Sequence, residues 1–194
     1  MSQAATLRQP RPLVLADLIP GALARDVLLV AGGAGFVGLL AQIAVHLPGT
    51  PVPITGQTLG VLLIGAAYGW KRAATTIALY AALGVAGVPW FAGGGSGYAG
   101  ASFGYIAGFL LAATAAGALA ERGADRTILR SLPAMLLAEL IIYGVGMTWL
   151  GLYADLTFAQ TVEKGLVPFL LGDAVKAALA AGLLPAAWAL TGRR

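Results

Sequence analysis

No cysteine occurs anywhere in the chain, which excludes a disulfide framework, a thiolate metal site and a thiol nucleophile. Histidine is nearly as scarce: His46 stands alone. Charge is also sparse. Asp, Glu, Lys and Arg make up 10% of the 194 residues, against about 25% in soluble domains. No G-x-x-x-x-G-K-[ST] phosphate loop is present; the nearest glycine run, Gly93–Gly97, lacks the lysine. No segment is large enough for a soluble nucleotide-binding domain, so nothing here is expected to hydrolyse ATP. The basic residues are scattered over short loops rather than clustered on one face, so no nucleic-acid partner follows from the net charge of +4. A cleavable leader is not expected either, because the apolar run after Arg8 and Arg11 is broken by Asp17 and Pro20.

What is present is apolar: 59% of the residues, with a mean hydropathy of +0.84. The 28 glycines and 10 prolines suit membrane helices that pack closely or break. The expectation is an all-α membrane protein: one integral domain over residues 1–194, with a cytoplasmic or interfacial segment at 1–25 and a six-helix bundle at 26–190. Leu13–Leu23 reads as a short amphipathic stretch on the membrane surface. The expected spans are Val27–Leu47, Gln57–Gly69, Ala73–Val88, Tyr105–Leu119, Leu132–Leu152 and Leu166–Leu190. Lys71 and Arg72 mark a turn, Glu121–Arg130 a charged turn, and Tyr153–Gly165 a polar loop. In the first span, Ala31/Gly35 and Ala34/Gly38 are small-xxx-small pairs that pack within the chain or meet a partner protein.

Six spans put both termini on one side. Arg8, Arg11, Arg25, Lys71, Arg72, Arg122, Arg126, Arg130, Arg193 and Arg194 then share that side, and of the lysines and arginines in loops only Lys164 faces the other. The positive-inside rule makes the termini cytoplasmic. The proline-rich connection Pro48–Thr58 and the uncharged, glycine-rich, aromatic loop Pro89–Gly104 both fall outside, the latter reading as a lid or binding loop.

The sixth span carries an acid and a base, Asp173 and Lys176, three residues apart and therefore on one helix face. Either one facing lipid at mid-helix would cost roughly 2.5–3.5 kcal/mol. The pair is a structural ion pair between helices or a polar recognition spot for a small molecule. Its expected position is roughly 10–15 Å below the outer mouth, from helix rise. Gln42, His46 and Gln57 lie at outer helix ends. His46 reads first as a hydrogen-bonded interface residue. Glu139 and Tyr143, four apart on the fifth span, share a face; Glu139 reads as a buried, partnered carboxyl or part of a cavity wall. Polar groups thus converge on the outer half, a pattern of capture for uptake.

Four motifs occur in order: Pro51–Leu59 (PVPITGQTL), Gly87–Gly94 (GVPWFAGG), Gly104–Phe109 (GYIAGF) and Pro168–Lys176 (PFLLGDAVK). Together they resemble the BioY family, the biotin-binding S components of energy-coupling factor (ECF) transporters, from about Arg25 to Leu190. The resemblance implies an S-component-like bundle in the bacterial inner membrane that captures biotin from outside. It also implies a coupling transmembrane protein and two ATP-binding subunits as partners, and no cofactor or metal. In the family, the Asp and Lys of the last helix and the glycine-rich loop contribute to the pocket, which maps to Asp173, Lys176 and Gly93–Tyr105. The expected substrate-binding set is Asp173, Lys176, Tyr105, Ser96, Gly95, Gln57, Trp90, Phe91 and Tyr143. Where some members place an Arg after the loop tyrosine, this chain has Ile106. Ala31–Gly38 is the expected contact for the coupling protein. The alternatives are an S component or secondary transporter for another vitamin and, more remotely, an intramembrane serine hydrolase using Ser102 and His46.

Overall fold

The computed structural model describes residues 14–21 and 23–191. Arg8, Arg11, Arg193 and Arg194, which entered the charge argument, and Leu13, the start of the expected surface stretch, lie outside the described residues. Seven α-helices follow in order: α1 Leu23–Ala41, α2 Gln57–Tyr68, α3 Trp70–Val85, α4 Phe103–Ala120, α5 Ile128–Tyr153, α6 Phe158–Gly165 and α7 Leu170–Leu190. The six apolar stretches correspond to α1–α5 and α7. Among the described residues, α1, α4, α5 and α7 are long and apolar enough to cross a membrane. At about 1.5 Å per residue α2 and α3 reach roughly 18 and 24 Å, short of a hydrocarbon core of about 30 Å.

Several local expectations are corrected. The first helix stops at Ala41, not Leu47, because the chain turns there into a two-stranded antiparallel ribbon. β1 (Ala44–Val45) pairs with β2 (Ile54–Thr55), Ala44 opposite Thr55, so the architecture is not purely helical. Lys71 and Arg72 sit in the first turn of α3 rather than in a loop. The break between α2 and α3 is Gly69 alone, whose φ of 77° is open to glycine at little cost. The polar loop at 153–165 contains a helix, α6. Thr157 and Gln160 form its capping box: Gln160 N–H donates to Thr157 Oγ1 at 3.4 Å and Thr157 N–H to Gln160 Oε1 at 3.0 Å. The segment expected along the membrane surface instead forms a 3₁₀ turn at Leu15–Leu18, with Val14 and Ala16 buried in the core.

The centre of the bundle is α4. Its buried face, which includes Gly108, Ala112, Ala113, Ala116, Gly117 and Ala120, is mostly small residues. That face lets α2, α3 and α5 all pack against one helix. The closest approach to another helix's backbone is at Gly117, where a Cβ would fall 2.5 Å from the backbone nitrogen of Trp70. The same spot is held by Glu121, which accepts the Trp70 N–H at 3.3 Å and so supplies a carboxylate to the start of α3.

The charged turn after α4 is tied to the far end of α7. Trp188 Nε1–H donates to Asp125 Oδ2 at 2.5 Å, and the Arg126 guanidinium lies 3.5 Å from the Trp188 ring centre. Burial pushes the Asp125 carboxyl up from the usual carboxylate range.

Gly117→Val is expected to destabilise the protein by about 1–3 kcal/mol through overpacking against backbone that cannot yield. Gly182→Ala, where a Cβ meets nothing within 4 Å, is the control and is expected to raise stability slightly, by up to about 1 kcal/mol. Thermal unfolding in detergent compares the two.

Candidate functional site

Asp173 lies near the N-terminus of α7, where the helix dipole favours an anion. Because α7 begins at Leu170 rather than Leu166, the Asp–Lys pair sits only ~5–9 Å along the helix from its start. The 10–15 Å depth expected from sequence is corrected accordingly. Lys176 Nζ donates to Asp173 Oδ1 at 2.8 Å and to Thr58 Oγ1 at 3.0 Å. The Thr58 hydroxyl donates in turn to Asp173 Oδ1 at 3.1 Å, closing a three-membered ring of hydrogen bonds between α2 and α7. Tyr143 of α5 donates its hydroxyl to Asp173 Oδ2. One carboxylate thus joins three helices, and every charge in the cluster has a partner. The ion pair is structural glue, but it also lines a cavity, so the two readings of the sequence are not exclusive.

The deep cavity has a volume of about 40 Å³. Asp173, Lys176, Thr58, Gln57, Tyr143 and Tyr105 bring polar atoms to it, and Ile106, Phe109, Ile142 and Phe169 form apolar walls. Tyr105 is fixed at both ends. Its hydroxyl donates to the Gly165 carbonyl at 2.7 Å, and its ring fits over Gly146, where a Cβ would come within 2.4 Å. Above lies an outer chamber of about 270 Å³, lined by His46, Phe91, Gly95, Ser96 and Ser102 among others. Pro53, Gln57, Ala92, Ser102 and Ile106 line both spaces, which places them side by side.

The loop that roofs this path is anchored by amides. Gln57 Nε2 donates to Tyr80 Oη at 2.7 Å, and Tyr80 Oη–H donates to the Trp90 carbonyl at 3.3 Å. Gln42 Nε2 reaches the Gly38 carbonyl at 2.9 Å and the Trp90 carbonyl at 3.2 Å. Within the loop, Phe91 N–H donates to the Gly95 carbonyl at 2.9 Å.

Of the nine expected site residues, the fold brings Asp173, Lys176, Tyr105, Tyr143 and Gln57 to the deep cavity and Phe91, Gly95 and Ser96 to the outer chamber. Trp90 lines neither. Its ring packs on Tyr80 at 5.1 Å between centroids and over Gly38, and its indole N–H donates to the Tyr80 carbonyl. Glu139 is buried at 5% exposure, yet among the described residues neither carboxyl oxygen has a hydrogen-bond partner. It is buried as expected but not partnered. His46 is exposed at the outer chamber rather than bonded into an interface, and no hydrogen bond joins it to Ser102. Thr58 was missed. The signal for it was its position beside Gln57 in the first turn of α2, facing the same way as the pair it serves.

The chain is similar in sequence and in fold to known proteins. A family model described as BioY matches residues 7–193. Biotin transporter BioY2 of Lactococcus lactis subsp. cremoris is 32% identical over 79% of this chain and 85% of its own. Biotin transporter BioY of Rhizobium etli is 33% identical over 81% and 89%. A probable biotin transporter BioY of Pyrococcus horikoshii is 36% identical over 81% and 92%. Among solved structures, the S-component for biotin from an ECF-type ABC transporter superposes with a TM-score of 0.77 at 23% identity. That match covers 84% of this chain and 90% of that one.

Thr58→Val is expected to cost about 1–3 kcal/mol in the ligand-free protein, because it removes one donor from Asp173 and one acceptor from Lys176 inside the bundle. Thr58→Ser keeps the hydroxyl and most of the stability. Unfolding midpoints of the two variants decide the point.

Proposed function

This chain belongs to the BioY family, a multi-pass membrane protein and not an enzyme, and from that premise we propose that it is a high-affinity uptake subunit for biotin. It takes the vitamin from outside through the chamber under the Pro89–Gly104 loop, holds it at the Asp173–Lys176 cluster and delivers it to the cytoplasm. The single observation that carries this reading is an acid and a base, both largely buried, at the floor of a cavity walled by aromatic and aliphatic side chains.

The chemistry suits the ligand. The ureido ring of biotin offers two N–H donors and one carbonyl acceptor. A carboxylate accepts such N–H groups, and an ammonium donates to the carbonyl. Lys176 has three N–H donors and spends two of them on Thr58 and Asp173. The apolar bicycle and valeryl chain match the walls formed by Ile106, Phe109, Ile142 and Phe169. Capture exchanges bonds within the Asp173 cluster for bonds to the ligand.

The reading includes six passes, α2 and α3 counted among them, with both termini cytoplasmic in a bacterial inner membrane. Arg25, Lys71, Arg72, Arg122, Arg126 and Arg130 then share the cytoplasmic side, and Lys164 in the last turn of α6 faces out. The partners are a coupling transmembrane protein and two ATP-binding subunits. The small-residue stripe of α1 divides accordingly. Gly33, Ala34 and Gly38 are buried inside this chain, Gly38 against Trp90. Ala31, Gly32 and Gly35 lie on the outward side, where a Cβ on Gly32 or Gly35 meets nothing within 4 Å. That outward strip is the surface offered to the coupling protein.

Asp173→Asn and Lys176→Ala are each expected to weaken biotin binding tenfold or more, about 1.4 kcal/mol, in protein that still folds. Radiolabelled biotin binding to the purified variants measures this, and unchanged affinity in both removes the pair from the site. A thermal-shift series with biotin, desthiobiotin, riboflavin, thiamine and folate addresses specificity. Biotin is expected to stabilise most, and a larger shift with another vitamin would replace it as substrate.

A further inference from the structure

We infer that His46 is the residue that grips the carboxylate end of the substrate and so selects for an acid tail, an inference that rests on the biotin reading above. The deep cluster is a poor place for a second anion. Asp173 already carries negative charge there, Lys176 is engaged with it, and Tyr143 spends its hydroxyl proton on the same carboxylate. A carboxylate entering head first meets Asp173 and would have to compete with it for the donors of Lys176, Thr58 and Tyr143. The neutral ureido ring brings no second anion. The ligand then lies with its ring inward and its acid tail in the outer chamber.

Among the residues that line that chamber there is no Asp, Glu, Lys or Arg, and His46 is the one side chain that can carry a positive charge. Ser96 and Ser102 bring neutral hydroxyls, and Gln57 spends one of its two amide N–H groups on Tyr80. The imidazole is exposed at the chamber wall and makes no hydrogen bond among the described residues, so it is free to donate to a ligand. It can donate a ring N–H to a carboxylate whether neutral or protonated, and a charge-assisted bond of this kind is about twice as strong as a neutral one. The ring follows directly after β1, whose pairing with β2 fixes the backbone. Its Cε1 edge faces the Gly93 turn of the roofing loop, 3.8 Å from where a Cβ on Gly93 would stand. A tail held by His46 would thus lie under the loop that closes the path.

The test compares biotin with biotinamide, which differs only in lacking the acid, by titration calorimetry on the full chain in lipid nanodiscs. The unaltered protein is expected to prefer biotin by about tenfold or more. His46→Ala is expected to lose that preference while binding biotinamide as before, and His46→Arg to restore it. Unaltered biotinamide affinity also reports that the pocket is intact. A preference that survives in His46→Ala overturns the inference, as does an equal loss for both ligands, which would assign His46 to shaping the chamber. Failure of the unaltered chain to bind either ligand overturns the biotin reading itself, and this inference with it.

Discussion

A charge inside a bilayer must be answered by another group, and in this protein one carboxylate sets the terms for three helices. Asp173 collects donors from Lys176 on its own helix, Thr58 on α2 and Tyr143 on α5. Leaving any of those groups unpaired in an apolar interior costs several kcal/mol for a charge and about 1–3 kcal/mol for a hydroxyl. The cluster therefore fixes how α2, α5 and α7 meet. Yet its net contribution to stability is small, because desolvating two ions consumes most of what their attraction returns. A site of that kind is well suited to exchange. Its internal bonds hold the three helices together.

The packing around the cluster brings its polar groups together. Small residues on α4 draw α2, α3 and α5 close enough for their polar groups to converge. Non-helical backbone is tolerated at membrane depth only where it is buried in protein or lines a cavity. Here it takes the form of the ribbon of β1 and β2 and the loop over the chamber. Both are tied down by side-chain amides: Gln42 and Gln57 hold the loop through Trp90 and Tyr80. The opposite end of the bundle is closed differently, by ion pairs. Arg72 reaches Asp17 at 2.8 Å and Asp26 at 2.9 Å, joining the 3₁₀ turn, α1 and α3. One end is thus held by neutral amides and hydroxyls, the other by ion pairs.

The sequence was most informative where it broke its own rule. Asp173 and Lys176 stand out because an apolar run carries charge only for a reason, and the fold puts them at a cavity. Glu139 stands out likewise, but whether it has a partner depends on side chains from other helices and cannot be read from its own. Thr58 carries no such flag, since its partner lies 115 residues away. Trp90 misled because an aromatic in an interfacial loop can turn toward ligand or bundle, and Gly38, far off in sequence, leaves the space that decides it. The small helix α6 was legible in its Thr157–Gln160 capping box, but eight residues are too few for a periodic pattern to emerge. The one-residue break at Gly69 was hidden because charged Lys71 and Arg72 looked like a loop, when an adjacent helix end and its Glu121 cap could accommodate them.

The measurement that tests this account most directly is a structure of the chain with biotin bound. The account predicts the ureido ring within hydrogen-bond distance of Asp173 and Lys176, with at least one of the Thr58 and Tyr143 bonds to Asp173 broken in its favour. Biotin seated elsewhere, with the four-residue cluster unchanged, would contradict it.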